Sequence, residues 1–274
     1  MSFLRGNWNN PGDSIPASSY RSAPALSLQS VLVQHMGRLF IIGSGPSLRE
    51  TPLHKLIGEE SWGMGRINKI YRHTLWRPTR VFWSDIIQED TLPDILEHLD
   101  EDYDFYCRGY VSGALDGSYV TGPLGRNPWE ITPVFNKLPT KIHNYEFCHA
   151  HDIVYDGTVP PRWRCSEDVY CSFGGTFQAV LMHGVEEGFN PIYVVAADLG
   201  FTVGGTGNHN NHFSDDYQWK DYPQYKADGK NRDMAAAHAQ AREYAEERGI
   251  RIYNASMGGS LEAYERVDFN GLFE

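Results

Sequence analysis

The chain has little of several features that mark common classes of protein. None of its 274 residues lies in an apolar run approaching the roughly 18 residues of a membrane-spanning helix. The net charge of −11 disfavours nucleic acid as a partner, because phosphate contacts need clustered Lys and Arg. The first 30 residues show no basic segment followed by an apolar one, so no secretory signal is predicted and we expect a cytoplasmic protein.

Cysteine is also scarce, and its spacing excludes a common metal or redox motif. The four cysteines form no C-x-x-C pair, which favours reduced thiols. The 41% hydrophobic content is typical of a globular protein, and the length suits one large α/β domain. Residues 1–30, rich in Asn, Ser, Pro and Gly, are predicted to form an irregular arm that suggests a homo-oligomer. Residues 31–274 are predicted to form a single α/β nucleotide-binding domain.

Apolar runs alternate with helical patterns along the chain. This order predicts a doubly wound, mostly parallel sheet of the Rossmann-like type. Residues 109–165 are rich in Gly, Pro, Ser and Asn and predict an irregular lid or insertion. Strands are expected over residues 38–42, 62–67, 80–85, 103–107, 141–145, 191–198 and 250–253. Helices are expected over residues 48–57, 88–99, 177–187 and 232–248.

The first predicted strand ends in a glycine turn, Gly43-Ser44-Gly45-Pro46-Ser47. Ser47 and Glu50 have the spacing of a capping box for the helix that should follow. Backbone N–H groups cluster at such a turn and the helix dipole adds positive charge, so the turn suits a phosphate or another anion. It lacks the third glycine of the dinucleotide fingerprint and the Lys of a P-loop. A tight turn without a ligand fits the same residues equally well.

Polar residues follow several of the predicted strands. In doubly wound sheets ligands bind at the carboxyl ends of the strands, where such residues would meet. Each residue taken singly could instead be a helix cap or a turn residue. The set comprises Ser44, Asn68, Ser84, Asp85, Asp198 and Asn254.

Five segments of the chain resemble two related families. One is the bacterial sialyltransferases that use a CMP-sugar donor, and the other includes the archaeal hydroxymethylpterin diphosphokinase and the flagellar motility accessory factors. The segments are residues 42–48, 65–68, 82–85, 188–198 and 252–256. The resemblance implies a Rossmann-like fold that takes a nucleotide sugar as substrate and needs no further cofactor.

The resemblance also implies which residues contact the donor nucleotide. An Asn after the second strand carries over to Asn68, and an Asp after the late strand carries over to Asp198. A Ser-Gly pair before the late helix falls in the region of Ser172, Gly174 and Gly175. Ser44 stands where the family has Asn, which leaves the identity of the base open.

The same resemblance implies a catalytic His in the loop after Asp198. His212 is favoured over His209, because a polar and aromatic run follows it. Tyrosines that steady the departing phosphate have counterparts in Tyr217, Tyr222 and Tyr225, whereas Phe201 stands where the family has one such tyrosine. The residues 208–217 could also bind a divalent metal or form a solvated polar loop.

The resemblance therefore implies a glycosyltransferase. It would move a sugar from a CMP-linked donor to a hydroxyl of a glycan or small-molecule acceptor, with a His base and no metal. One alternative is a Mg²⁺-dependent pyrophosphokinase that uses ATP on a pterin-type alcohol, with Asp85, Asp198 and Asp215 near the metal. Another is a catalytically silent nucleotide-binding module, which the departures at Ser44 and Phe201 suggest.

Overall fold

The computed structural model describes most of the central sheet and the segments that surround it. The described residues are 37–83, 92–108, 142–148, 164–166, 169–171, 175–200, 211–217 and 224–274. They belong to one compact unit, Gln34–Glu274. The predicted arm over residues 1–30 and most of the predicted insertion over residues 109–165 lie outside the described residues.

Ten strands within the described residues form one sheet. Its order is β10-β9-β8-β1-β2-β3-β4-β5-β7-β6, and every neighbouring pair is parallel except β6 with β7. The strands are β1 Leu39–Ile42, β2 Ser61–Met64, β3 Arg80–Trp83, β4 Asp104–Arg108, β5 Ile142–Cys148, β6 Arg164–Ser166, β7 Val169–Cys171, β8 Ile192–Val195, β9 Ile252–Asn254 and β10 Glu265–Arg266.

Side chains of β1 alternate between two buried layers, one on each face of the sheet. Leu39 and Ile41 pack with helices α2, Thr176–Glu186, and α3, Gln224–Glu246. Phe40 and Ile42 pack with α1 and three 3₁₀ helices on the other face. These are α1 Leu92–Asp100 and the 3₁₀ helices Pro46–Arg49, Leu53–Leu56 and Ile67–His73. Helical segments on both faces of a mostly parallel sheet confirm the predicted doubly wound fold.

The helix predicted over residues 48–57 is wrong. The chain forms two 3₁₀ helices there, because Pro52 has no N–H for a continuous helix and disfavours the α conformation at Thr51. The predicted capping box is also absent. Gly45 occupies the N-cap position of the first 3₁₀ helix, and no side chain caps it.

Two predicted strands end earlier than expected because the backbone turns. Gly65 has φ +51° and ends β2 at Met64, so Asn68 lies inside a 3₁₀ helix. Ala196 also has φ +51° and ends β8 at Val195, three residues before Asp198. The short strands β6, β7 and β10 were not predicted. No helix among the described residues has the length and apolar character needed to cross a bilayer.

The chain reverses its direction of travel across the sheet at β1. From β1 it proceeds through β2, β3, β4 and β5 on one side, and it later returns to add β8 and β9 on the other side. Neighbouring loops therefore diverge at the carboxyl ends of β1 and β8. This is the topological switch point at which open α/β sheets bind their ligands.

Candidate functional site

The glycine turn after β1 lies at the switch point, and three of its N–H groups have partners within the chain. The N–H of Gly43 donates to Val195 O at 2.7 Å, and the N–H of Gly45 donates to Ala196 O at 2.9 Å. The N–H of Ser47 donates to Asp198 Oδ2 at 2.7 Å, while the Ser47 hydroxyl donates to Oδ1. At Ser47 the group bound by the turn is therefore a carboxylate of the chain itself.

The glycines of the turn allow this close approach. A Cβ at Gly45 would lie 2.5 Å from Asp198 Oδ2, and one at Gly43 would lie 2.4 Å from Ala196 O. No side chain larger than hydrogen fits either position without moving the segment after β8. The two glycines predicted to contact a donor thus have a packing role against Ala196 and Asp198.

The backbone around Asp198 adopts an uncommon conformation. Ala196 and Leu199 have φ of +51° and +48°, in the left-handed region that residues other than glycine rarely adopt. Such residues cluster at functional sites, where the surrounding structure maintains them. Their position on both sides of Asp198 supports a functional role for this edge of the sheet.

A second glycine-rich loop, residues 256–260, packs against the backbone of Asp198. A Cβ at Gly259 would lie 2.3 Å from both Cα and O of Asp198, and the N–H of Ser260 donates to Asp198 O at 2.6 Å. Arg266 holds this loop by donating to Gly259 O at 2.7 Å. This loop was not predicted, although the Gly258-Gly259 pair before Ser260, soon after β9, was a signal for it.

His212, the predicted base, lies beside the glycine turn. Its Nδ1 is 3.0 Å from the hydroxyl of Ser44, and its ring stacks on Tyr217 with centroids 4.2 Å apart and planes at 19°. The N–H of Phe213 donates to Ser44 O at 2.9 Å, so backbone and side-chain contacts both join the loop to the turn. The structure thus brings Ser44 next to His212, which lies 168 residues later in the chain.

Ionic contacts fix the described loop of residues 211–217 over the sheet edge. Arg49 donates to Asp215 at 2.8 Å, and Lys69 Nζ lies 3.0 Å from Asp216. Hydrogen bonds from the Ser214 hydroxyl and Lys69 lower the pKa of Asp216 to about 2, so it is ionised at neutral pH. Both aspartates, which were candidate metal ligands, therefore have cationic partners.

Arg66 joins the loop to the turn after β2. Its guanidinium donates to Tyr217 O at 2.8 Å and to Asp94 at 2.7 Å, and its backbone N–H donates to the Tyr217 hydroxyl at 3.3 Å. Gly65 makes room for that hydroxyl, since a Cβ there would lie 2.7 Å from it. Sequence reasoning missed Arg66 and Lys69, because Arg and Lys after a strand have no distinctive spacing.

Asn68 lies beneath this network. Its side chain is 2% exposed, and its amide nitrogen donates to Asp94 at 2.9 Å and to Glu97 at 2.7 Å. Nearby, the buried His98 donates from Nε2 to Gly65 O at 2.8 Å, and burial lowers its pKa to about 4. These contacts support the turn after β2 from within the core.

The structure describes only some of the remaining predicted site residues. Gly175 is the N-cap of α2, in an extended conformation. Tyr225 lies in α3, and its side chain is not described. Among the described side chains, no group of three His, Cys, Asp or Glu is placed to hold a metal ion. Outside the described residues lie Ser84, Asp85, Ser172, Gly174, Phe201, His209 and Tyr222.

Comparisons with known proteins add one structural likeness. No family model and no curated protein sequence matches the chain. The chain is similar to the structure of the MAf glycosyltransferase from Magnetospirillum magneticum AMB-1, with a TM-score of 0.47 and 11% sequence identity. The match covers 85% of this chain but 34% of the other, so this chain spans about a third of that protein's length. At this level of similarity, nothing about substrate or reaction carries over.

Proposed function

We propose that this chain is a glycosyltransferase of the sialyltransferase-like type, which transfers a sugar from a CMP-linked donor to a hydroxyl acceptor. The observation that carries the proposal is the contact between His212 Nδ1 and Ser44 Oγ, 3.0 Å, at the switch point of a doubly wound sheet. An imidazole in such a place suits removal of a proton from a hydroxyl near neutral pH.

The contact with Ser44 defines how His212 would act as the base. When Nδ1 carries the ring proton and donates it to Ser44 Oγ, the lone pair is on Nε2. The acceptor hydroxyl would give its proton to Nε2 while its oxygen attacks the sugar carbon, and the nucleotide would leave with the bonding electrons. Stacking on Tyr217 and the hydrogen bond to Ser44 keep the ring in one orientation.

The departing phosphate needs hydrogen-bond donors at the same edge of the sheet. In the proposal Tyr217 and Tyr225 supply hydroxyl groups, so no metal is required. The Tyr217 hydroxyl is held near the turn after β2, where it accepts from the N–H of Arg66 at 3.3 Å. Preorganised donors of this kind stabilise developing charge without rearranging during the reaction.

The geometry changes the roles that we propose for the donor-site residues. Because Asp198 binds Ser47 and Asn68 binds Asp94 and Glu97, both side chains would shape the site rather than grip the nucleotide. Ser44, with Ser84 and Ser172, then remains for donor contacts.

A binding titration and a transfer assay test this proposal together. We would titrate the protein with CMP, UMP, GDP and ATP, each with and without Mg²⁺, and then assay transfer from CMP-sugars. His212→Ala should lower kcat by at least roughly 100-fold and leave CMP affinity within about twofold. The control His54→Ala alters an exposed histidine in another segment and should change neither quantity.

Each other outcome points to a different function. Binding of ATP that requires Mg²⁺ would favour the pyrophosphokinase alternative and direct mutagenesis to Asp85, Asp198 and Asp215. Nucleotide binding without turnover of any CMP-sugar would favour a silent binding module. Unchanged transfer by His212→Ala would refute the assignment of the base.

A further inference from the structure

A cleft lies away from the candidate active site, near the amino ends of β8, β9 and β10. Its volume is about 460 Å³, within the range of known small-molecule sites. The strands separate this cleft from the carboxyl ends that carry His212 and the glycine turn. Nothing in the proposed transfer reaction uses it.

Two tyrosines form the floor of the cleft. Tyr193 of β8 pairs with Tyr253 of β9, so their side chains share one face of the sheet. Their rings stack with centroids 5.7 Å apart and planes at 24°. Both are partly exposed and line the cleft, which presents a flat aromatic surface to solvent.

Buried rings hold this floor in place. Tyr193 stacks at 5.1 Å on Phe40, which is fully buried, and Phe40 stacks at 5.7 Å on Phe273. The two partly exposed tyrosines thus belong to a row of four stacked rings in which Phe40 is the fully buried member. A floor anchored in this way is already ordered before a ligand binds, which lowers the entropy lost on binding.

The rim of the cleft carries one group of each charge. Glu265 pairs with Tyr253 in register, and Arg251 precedes Tyr253 by two residues, so both side chains stand on the tyrosine face. Arg251 donates to the Tyr253 hydroxyl at 3.4 Å, and both Arg251 and Glu265 are exposed. A guanidinium only donates hydrogen bonds, a carboxylate only accepts them, and tyrosine hydroxyls do both.

We propose that this cleft binds a neutral pyranose residue of a glycan. The apolar face of a sugar ring packs on aromatic rings, and its hydroxyl groups need donors and acceptors around the edge. Glu265 at the rim disfavours an anionic ligand such as a nucleotide in this cleft. This site is separate from the candidate active site. It would bind a glycan at a distance from the bond that reacts.

Saturation-transfer NMR on the full chain tests the site. The probes are the methyl glycosides of glucose, galactose, mannose and N-acetylglucosamine, at about 10 mM, which saturates a site of millimolar Kd. We expect transfer to the ring protons of at least one glycoside. Tyr253→Ala should weaken its affinity by roughly five- to tenfold, and Arg251→Ala by roughly three- to tenfold.

Matched variants separate this site from the candidate active site and from effects on folding. Arg248→Ala removes a nearby, partly exposed arginine that does not line the cleft, and it should leave the signal unchanged. Loss of signal in Tyr253→Ala assigns the signal to this cleft and not to the candidate active site, so failure of the transferase proposal does not affect this one. Absence of transfer to all four glycosides would overturn the proposal. So would an equal signal in the surface variant Arg251→Ala, or stronger transfer to adenosine than to any glycoside.

Discussion

Replacing Gly259 with alanine tests the packing behind the candidate site. Gly259 has φ +81°, and a Cβ there would lie 2.3 Å from Cα and O of Asp198, against 3.4 Å for an ordinary contact. The left-handed conformation costs about 1–2 kcal/mol for a residue with a side chain. Backbone atoms cannot rotate away as a flexible side chain can, so Asp198 must shift and weaken its bonds to Ser47. Hydrogen bonds to charged groups contribute about 1.5–3 kcal/mol each, so loss of one of the two bonds together with the conformational cost gives an expected total of about 2.5–5 kcal/mol.

Gly249→Ala is the matched control for Gly259→Ala. Gly249 has φ +70°, but an added Cβ would have no atom within 4 Å, so the substitution isolates the conformational cost of about 1–2 kcal/mol. Urea unfolding with linear extrapolation measures the free energy of unfolding of both variants. If Gly259→Ala destabilises the protein no more than Gly249→Ala does, the close packing of the second glycine-rich loop on Asp198 is refuted.

Two further predictions concern the loop of residues 211–217 and the response to pH. Lys69→Met removes the cation between Asp94 and Asp216, and amide exchange across the loop should accelerate roughly five- to tenfold. The control Lys55→Met alters a half-buried lysine that lies over the Phe273 ring, outside this network, and should leave the exchange unchanged. Burial lowers the pKa of His98 to about 4 and of His238 to about 3, from 6.5 for a free imidazole. Below pH 6.5 the unfolded chain therefore binds more protons at these two residues than the folded chain does. The free energy of unfolding should therefore fall by about 2 kcal/mol per imidazole between pH 6.5 and 5, and a flat urea-midpoint profile over this range would contradict it.

The sheet could be predicted because buried parallel strands are continuous apolar runs. Residues 38–42 and 191–198 contain β1 and β8, and their order among helical patterns gave the doubly wound class. The ends of strands were less predictable, since they depend on single backbone conformations. Nothing in the sequence signals that Ala196, rather than Asp198, leaves the extended region.

The contacts between residues of the candidate site were harder to predict than which residues belong to it. Sequence reasoning placed Ser44, Asp198, His212 and Tyr217 at one edge of the sheet, and the structure places them there. It did not reveal that Ser47 pairs with Asp198, 151 residues away, because that contact depends on how two loops pack.

Any external anion at the glycine turn would have to compete with Asp198, which already pairs with Ser47. A carboxylate tethered to the same chain is present at a local concentration of about millimolar or more, and it competes with any free anion for that N–H. Inorganic phosphate and sulfate, which have no other anchor, are therefore poor ligands for the turn. A larger ligand would displace the tethered carboxylate only if its contacts elsewhere in the site offset the lost hydrogen bonds between Asp198 and Ser47. Binding at the turn would then require that the whole ligand is recognised.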